Sequence, residues 1–373
     1  MAHRVYKFRI YPSKRQTRTL NDHLAICCEL YNAALQERRD AWRLERKSIT
    51  WFDQNNQIPE IRTDREDVAA VNAQVLQATL KRVDLAFKAF FRRVKTGQKA
   101  GYPRFRSVRR YDSMTFRQIG NALVGNKLRI SKIGQVRIKL HRPIEGVVKT
   151  MTIKREAGRW FAVFACEVEP HPLPFSPHVI GIDVGLAHFA VLSTGEAINN
   201  PRHHRKAERR LRVAQRRVAR RKKGSNRRRK AVLLLQRIHA HVKAQRADFH
   251  HKLSRRIVGN YGAIFIEDLN TKGLAGGMLA KSVNDVGWAD FFFKLSYKAE
   301  NAGRVFGKVK AAGTSQECTC GATVSKTLAD RWHLCLNCGL SLPRDHVSAL
   351  VIKLRGQADH SNVNVGVLMP CVV

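Results

Sequence analysis

The sequence is short of acidic residues and has no long apolar run. Asp and Glu total 29 against 69 Lys and Arg in 373 residues, which gives a formal net charge of +40. A surface with this imbalance repels itself unless a polyanion neutralises it, so nucleic acid is the partner that the composition favours. Hydrophobic residues still make up 44% of the chain, which excludes a disordered polypeptide and allows one large core or several modest ones.

The absence of apolar runs bears on location. No stretch of about 18 apolar residues occurs, so we predict no membrane span. The N-terminal stretch MAHRVYKFRIYPSKRQ lacks an uninterrupted apolar segment, which argues against a secretory signal. We therefore expect a cytoplasmic protein, in a reducing compartment where structural disulfides are rare.

Four of the eight cysteines are crowded into two close pairs. Cys318 and Cys320 form the first pair and Cys335 and Cys338 the second, with fourteen residues between the pairs. Four thiolates so arranged can complete a tetrahedral Zn²⁺ site without an open position, so we predict a structural zinc ribbon. Disulfides, core cysteines and a redox pair are the alternatives. The other cysteines are interpreted as core or tail thiols: Cys27, Cys28, Cys166 and Cys371.

The hydrophobic period changes twice in the N-terminal half. Residues 4–11, RVYKFRIY, alternate basic and apolar side chains, which predicts a strand with a basic face. Helical spacing follows over residues 13–47 and again over about 67–95, joined by a polar stretch that we interpret as an irregular loop. From about residue 101 to 170 the period is two, with Gly-rich turns, which predicts a small β-barrel or sandwich that also includes the first strand.

A stiff linker and a very basic segment come next. PHPLPFSPH, residues 170–178, has four prolines in nine residues, which predicts an extended linker and a domain boundary. Residues 202–230 contain sixteen Lys or Arg and one acid, Glu208. Repulsion would weaken such a helix without an external anion, so we interpret the segment as a helical hairpin, broken at KKGSN, against a nucleic-acid backbone. A solubilising or nuclear-localisation-like tract is the alternative.

Three acids stand where a carboxylate is costly or conspicuous. Asp183 follows the apolar strand VIGI, and Glu267 follows the apolar strand AIFI; a buried carboxylate is normally matched by a cation or a metal. Asp345 lies in the first turn of a helix predicted within LPRDHVSALVIKLRG. A strand aspartate, a strand glutamate and a helix aspartate in this order are the arrangement of an RNase H-like nuclease. Such hard oxygen ligands suit two catalytic Mg²⁺ ions and phosphodiester hydrolysis.

The combined motifs resemble those of the TnpB (OrfB) proteins of bacterial insertion sequences. The segments that carry the likeness are KFRIYPSKRQ, AFKAFFRRVKTG, GYPRFR, GIDVGL, IFIEDLN, the cysteine segment and PRDHVSAL. TnpB proteins are RNA-guided DNA endonucleases with a RuvC-like domain of RNase H fold. The resemblance implies that the three acids are catalytic, that the four cysteines hold zinc, and that the protein works in the bacterial cytoplasm on DNA of the nucleoid.

The predicted fold is an α+β multidomain chain. Its parts are an N-terminal β-barrel, a helical insertion, a RuvC-like α/β domain, a zinc ribbon within that domain, and a disordered tail. The resemblance implies that the barrel binds guide RNA and that the helical insertion helps to read a short motif beside a double-stranded DNA target. The barrel covers residues 1–12 and 96–170, and the helical insertion covers 13–95. The RuvC-like domain covers 171–313 and 341–356, the zinc ribbon 314–340, and the tail 357–373. One copy of the chain per RNA is favoured.

Side chains suited to base edges and phosphates complete the predicted nucleic-acid surface. Amides and cations on the first loop and the following helix are candidates for reading the flanking motif, with solvated polar positions as the alternative. Basic side chains elsewhere would contact backbone phosphates. The candidates are Lys7, Arg9, Trp51, Gln54, Asn55, Gln74, Gln77, Lys81, Arg104, Arg106, Arg209, Arg210, Arg216, Arg217, Arg220 and Arg221.

Three functions fit these patterns. The first is an RNA-guided DNA endonuclease. The second is a nuclease-inactive, RNA-guided repressor, because the family motif D-R-D-x-N-A-A is altered around Asp345, with Pro343 and Val347 in place of its first Asp and its Asn. The third is a transposase that joins DNA ends without a guide, since RNase H-like sites also perform strand transfer.

Overall fold

The structure, a computed structural model, describes residues 2–117, 119–120, 122–327 and 329–361. The chain divides into two compact units, Met1–Glu169 and Pro170–Val373. The proline-rich stretch 170–178 therefore begins the second unit, and the finer division into five parts stays a prediction. In the described part of the chain, no helix combines the length and the apolar character needed to cross a membrane.

A seven-stranded sheet forms the framework of the first unit. The strands are β1 (Ala2–Tyr11), β2 (Ser113–Phe116), β3 (Leu123–Val124), β4 (Lys127–Ile130), β5 (Gly134–Lys139), β6 (Val147–Glu156) and β7 (Arg159–Val168). They pair in the order β2-β6-β7-β1-β5-β4-β3. The first strand alternates as predicted, because Tyr6, Phe8 and Ile10 are buried while Lys7 is exposed. The strand order has two ends, so closure into a barrel stays a prediction.

Five helices lie between the first two strands. They are α1 (Lys14–Glu45), α2 (Trp51–Asn56), α3 (Ile58–Asp64), α4 (Glu66–Ala69) and α5 (Ala73–Lys95). The two long helices were predicted, but the irregular loop between them was wrong, since that stretch holds three short helices. Reciprocal hydrogen bonds between Thr50 and Asp53 start α2, and Pro59 in the first turn of α3 costs no hydrogen bond there.

The core of the first unit lies between its sheet and the two long helices. Cys27 and Cys28 of α1 and Cys166 of β7 are buried, as expected for core thiols. Burial raises the pKa of the Cys27 thiol to about 11, so this side chain stays a protonated, unreactive thiol near neutral pH. Cys371 lies outside the described residues.

A five-stranded sheet organises the second unit. Its strands are β8 (Val179–Val184), β9 (His188–Leu192), β10 (Ala197–Asn199), β11 (Ala263–Glu267) and β12 (Val305–Val309). They pair in the order β10-β9-β8-β11-β12. The pairs β8–β11 and β11–β12 are parallel, while β9 runs antiparallel to both of its neighbours. The parallel strands deliver their carboxyl ends to the same edge of the sheet.

Among the described residues of the second unit, six helices and a small ribbon accompany the sheet. The helices are α6 (His203–Ala219), α7 (Asn226–Asn260), α8 (Thr271–Leu274), α9 (Ala280–Val286), α10 (Trp288–Asn301) and α11 (Arg344–Ser361), and the ribbon strands are β13 (Trp332–Leu334) and β14 (Ser341–Pro343). The basic segment forms the predicted helical hairpin, in which α6 and α7 share a small core of Leu211, Ala214 and Ile238.

The last helix packs directly onto the sheet because glycines allow it. A Cβ on Gly181 of β8 would lie 2.1 Å from the carbonyl oxygen of Ala349 in α11, and one on Gly356 would lie 2.1 Å from the ring of Phe265 in β11. The helix reaches Ser361, so the expected disordered tail was placed too early: residues 357–361 are helical, and residues 362–373 lie outside the described part of the chain.

Candidate functional site

The strand register places two of the predicted acids side by side. Ile182 of β8 pairs with Ile266 of the parallel strand β11, so Asp183 and Glu267 are the next residues on neighbouring strands. Glu267 is 9% exposed. The adjacent Asp268, just after β11, is exposed and pairs with Lys308 at 3.0 Å.

The third acid comes from the helix that crosses this edge of the sheet. Asp345 is the second residue of α11, four residues before the contact of Ala349 with Gly181. Nε of the neighbouring Arg344 lies 3.4 Å from Oδ1 of Asp345. The structure thus brings all three predicted acids to the carboxyl ends of β8 and β11.

Like charge and burial shape the electrostatics of this edge. Burial raises the pKa of Asp183 well above its ordinary value, and the carboxylates of Glu267 and Asp345 raise it further, against an opposing effect of Arg344. Burial also raises the pKa of Glu267, against the hydrogen bond from Thr314 and the charge of Arg355. A cation bound beside Asp183 and Glu267 would favour the charged forms of these two carboxylates.

The sequence prediction missed the side chains that hold the acids. Thr314 donates a hydrogen bond to Glu267, and Arg355 of α11 acts on the same carboxylate through its charge. His346 places Nε2 3.3 Å from the carbonyl oxygen of Ser193, which ties the start of α11 to the turn after β9. Thr, Arg and His carry no distinctive spacing in the sequence, so only the folded chain identifies these roles.

The four cysteines meet in one cluster. Their sulfur atoms all lie within 4.8 Å of one another, with 3.6 Å between Cys318 and Cys338 and 3.7 Å between Cys320 and Cys335. These distances exceed a disulfide bond of about 2.05 Å, so the disulfide alternative does not hold. A hydrogen bond from the backbone of Ala322 lowers the pKa of Cys320, which favours the thiolate form of this ligand. The cluster has the ligand set of a metal site.

A buried histidine supports the ribbon beside that cluster. His333 of β13 is 0% exposed, and its Nδ1 accepts a hydrogen bond from Nζ of Lys326. Burial lowers the pKa of His333. The side chain therefore belongs to the interior of the ribbon and is not a surface contact.

The predicted nucleic-acid contacts separate into two groups. Six of them are exposed along α6 or just beyond its end: Arg209, Arg210, Arg216, Arg217, Arg220 and Arg221. Arg104 and Arg106 are also exposed. These basic side chains are therefore accessible to the phosphates of a nucleic acid.

One candidate for reading bases was wrong. Gln54 is 2% exposed, and its amide accepts from Arg38 and donates to the carbonyl of Ala34 and to Glu37. The guanidinium of Arg38 is itself buried, 3.7 Å from Asp84, so the amide of Gln54 completes an interior polar network.

The remaining base-reading candidates stay predictions. Lys81 lies over the ring of Trp51, with 4.9 Å between Nζ and the ring centroid, and pairs with Asp84 at 2.8 Å. The backbone carbonyl of Gln77 accepts a hydrogen bond from Trp51. That contact does not involve the side-chain amide of Gln77. Asn55 and Gln74 are half-buried.

The two basic candidates of the first sheet also stay predictions. Lys7 pairs with Glu156 at 2.5 Å, and Arg9 is half-buried.

Comparisons with known proteins place the chain in a family. Residues 163–277 match a family model of the OrfB/IS605 type described as a probable transposase, residues 288–352 one described as a Cas12f1-like TNB domain, and residues 1–47 one described as a helix-turn-helix domain. A putative RNA-guided DNA endonuclease from Streptomyces pristinaespiralis is 32% identical over 365 residues, which cover 95% of this chain and 90% of that protein.

The chain belongs to the TnpB (OrfB) family. A second TnpB relative, the putative RNA-guided DNA endonuclease InsQ from Escherichia coli K12, is 27% identical over 343 residues, covering 86% of this chain and 84% of that protein. The solved structure of the mini-RNA-guided endonuclease CRISPR-Cas_phi3 shares the fold, with a TM-score of 0.51 at 9% identity over 95% of this chain and 92% of that one.

The TnpB family matches cover the parts of the candidate site. The probable transposase model spans Asp183 and Glu267, and the TNB model spans the cysteines and Asp345. The third match carries a helix-turn-helix description, whereas residues 2–45 fold here as one strand and one long helix.

Proposed function

We propose that this TnpB family member is an RNA-guided DNA endonuclease that cuts DNA beside a short flanking motif. The observation that carries the proposal is the meeting of Asp183, Glu267 and Asp345 at one edge of the second sheet. The relatives named as putative RNA-guided DNA endonucleases support the same activity.

The topology of the second unit supports an RNase H-like, RuvC-like nuclease domain. The first strand, β8, is central, with an antiparallel neighbour on one side and two parallel strands on the other. In this arrangement the acids come from the central strand, its parallel neighbour and a helix on the sheet, so each is held by regular structure and not by a loop.

The donor set fits catalytic Mg²⁺. Carboxylate oxygens are the ligands that Mg²⁺ prefers, and the charges of Arg344 and Arg355 offset only part of the effects that raise the pKa of Asp183 and of Glu267. The chemistry that two such ions would supply is an activated water and a stabilised leaving oxygen for phosphodiester hydrolysis. The three acids would hold them, and Arg344 would neutralise part of the negative charge beside Asp345.

The cysteine cluster fits structural Zn²⁺. Its four sulfur atoms converge from two turns, and four protein ligands leave no position for a reacting group. Zinc would therefore fix the ribbon, β13 and β14, next to the helix that carries Asp345.

Guide RNA and double-stranded DNA are the proposed partners, with one chain per RNA. The exposed arginines of α6 supply affinity for backbones, which does not depend on sequence. Base pairing with the guide would supply specificity, while the protein reads the shape of the heteroduplex and a short flanking motif.

The test is cleavage by the natural complex. The protein is expressed with its native flanking DNA, the co-purifying RNA is sequenced, and the complex is tested with Mg²⁺ on a matched plasmid beside Asp183→Ala. Guide-dependent cutting that the variant loses supports the proposal. Guide-dependent binding without cutting would overturn it in favour of a repressor, and the absence of a defined RNA would favour a transposase.

A further inference from the structure

A buried threonine contacts the carboxylate of Glu267. Thr314 is 3% exposed, and its Oγ1 donates a hydrogen bond to Oε1 of Glu267. The same hydroxyl lies 3.0 Å from the carbonyl oxygen of Ala311. A hydroxyl has one proton to donate, and an ionised carboxylate is a stronger acceptor than a carbonyl. Thr314 therefore donates to Glu267 whenever that side chain is ionised.

Arg355 fixes the segment that carries this threonine. We call residues 310–317, which run from β12 to the first cysteine, the connecting segment. Nη1 of Arg355 donates to the carbonyl oxygens of Lys310 and Ala312, each at 2.9 Å, and Nη2 pairs with Glu317. One side chain of α11 thus holds the connecting segment at both ends.

The turn inside the connecting segment is shaped for that contact. Gly313 has a φ of +83°, and a Cβ there would lie 3.4 Å from Nη2 of Arg355. The backbone N–H groups of Gln316 and Glu317 both donate to the carbonyl oxygen of Gly313, at 2.9 Å. Thr314 lies within this turn, so its hydroxyl is held in place by backbone hydrogen bonds as well as by Arg355.

We infer that Thr314 is a positioning residue for Glu267 and that the connecting segment links its position to the cysteine cluster. The inference rests on the proposed function, since it concerns the metal that Glu267 would hold. A hydrogen bond to one carboxylate oxygen fixes the rotation of the group and leaves its remaining lone pairs to the metal. Removing such a partner typically weakens metal binding or activity by about 10- to 100-fold.

The experiment compares Thr314→Val with Thr314→Ser in the full chain. Binding of Mn²⁺, as a spectroscopic substitute for Mg²⁺, is titrated by electron paramagnetic resonance, with Asp183→Ala defining the signal of the acid site. We expect Thr314→Val to weaken Mn²⁺ binding by about tenfold or more, and Thr314→Ser, which keeps the donor, to remain within about twofold of wild type. Thr96→Val, which removes a hydroxyl bonded to Arg92 of α5, is the matched control and should bind as wild type.

A second variant keeps the inference testable if Thr314→Val does not fold. Arg355→Gln leaves Thr314 and the acids in the chain but releases the connecting segment. It also removes a positive charge near Glu267, which by itself would favour a cation. Hydrogen exchange of residues 310–317 should therefore rise while Mn²⁺ affinity falls, and the fall reports the lost position of Thr314. Faster exchange with unchanged affinity, or wild-type affinity in Thr314→Val, would overturn the inference. Cleavage of matched DNA is scored separately: a wild-type complex that binds Mn²⁺ but never cuts contradicts the proposed function and leaves the positioning result standing.

Discussion

Asp183 has an electrostatic cost that a bound cation would relieve. Burial and the neighbouring carboxylates raise its pKa, so in metal-free protein the folded state keeps a proton on this side chain that the unfolded state has already lost. The unfolded state therefore binds fewer protons over that range, and the free energy of unfolding falls as the pH rises. The same side chain that the proposed reaction needs destabilises the metal-free fold.

We predict that Asp183→Asn raises the melting temperature of the metal-free protein near pH 7.5. The gain over wild type should shrink as the pH falls toward the ordinary pKa of aspartate, about 3.9, and it should shrink when Mg²⁺ is added. Thermal melts at several pH values measure it. Asp268→Asn, at an exposed acid paired with Lys308, is the control and should give no such gain; equal melting of Asp183→Asn and wild type at every pH would contradict the prediction.

Replacing Asp183 or Glu267 should abolish DNA cleavage without weakening the binding of nucleic acid. Asp183→Ala or Glu267→Ala should lower the cleavage rate of a guide-loaded complex by at least about 100-fold, because each would remove a proposed ligand of the catalytic metal. Binding of RNA and matched DNA should stay within about twofold, since the exposed arginines that favour backbone binding are untouched. Gel-shift and plasmid-cutting assays on the same preparations measure both quantities. Cutting retained by either purified variant would remove that acid from the site.

The sequence predicts the acids but not the side chains that hold them. A carboxylate after an apolar strand stands out in a chain with few acids, and its costly position is visible without a structure. Thr314 and Arg355 are ordinary residue types whose roles depend on the fold that brings them to Glu267. Gln54 misled the prediction for the opposite reason: a polar amide is expected at the surface, but here it satisfies the buried Arg38.

At the scale of elements, the contact between α11 and the sheet decides where Asp345 lies. Gly356→Ala should lower the free energy of unfolding by about 1–3 kcal/mol, because the added Cβ overlaps the ring of Phe265. Gly259→Ala is the matched control in α7, where a Cβ meets nothing within 4 Å; it should be neutral or stabilise by up to about 1 kcal/mol. Chemical denaturation followed by circular dichroism compares them, and equal stabilities would refute this packing.

The ribbon should depend on its metal. If the cluster holds the proposed zinc, Cys335→Ser should reduce it from about one ion per chain to nearly none, because one of the four sulfur ligands is lost. Hydrogen exchange should then increase over the ribbon strands. Elemental analysis of the purified protein measures the metal. Cys28→Ser, in α1 and outside the cluster, should keep its zinc; unchanged zinc in Cys335→Ser would show that the cluster does not hold this metal.

Hydrophobic periodicity in the sequence predicts a helix or strand well where one face of that element is buried. The alternation of β1 and the periodicity of α1 and α5 are strong because one face of each is buried. The short helices α2 to α4 do not appear as a periodic pattern in the sequence, since each is too short to repeat. The capping pair Thr50 and Asp53 was the available signal for α2, and α3 and α4 have no side-chain cap. The packing of α11 depends on glycines 181 and 356, whose importance appears only when the two surfaces meet.

For the whole molecule, the net charge of +40 determines which partners the protein binds, and how strongly salt affects that binding, more than it determines the fold. Many acids are already engaged within the chain, such as Asp67 with Arg65 and Asp248 with Lys252. The exposed arginines of α6 are concentrated on one helical hairpin, and repulsion among them must be relieved by counterions or by a polyanion. Binding of nucleic acid releases those counterions, so the affinity must fall as salt rises.

The salt dependence measures how many of these arginines contact phosphate. The double variant Arg216→Ala with Arg217→Ala should reduce the magnitude of the slope of log K against log salt by about 2 if both side chains neutralise phosphates of duplex DNA. The matched control, Arg65→Ala with Lys252→Ala, removes the same charge from side chains already paired with acids and should leave the slope nearly unchanged. Equal reductions in both double variants would mean that the whole charge of the chain, and not the hairpin, sets the affinity for nucleic acid.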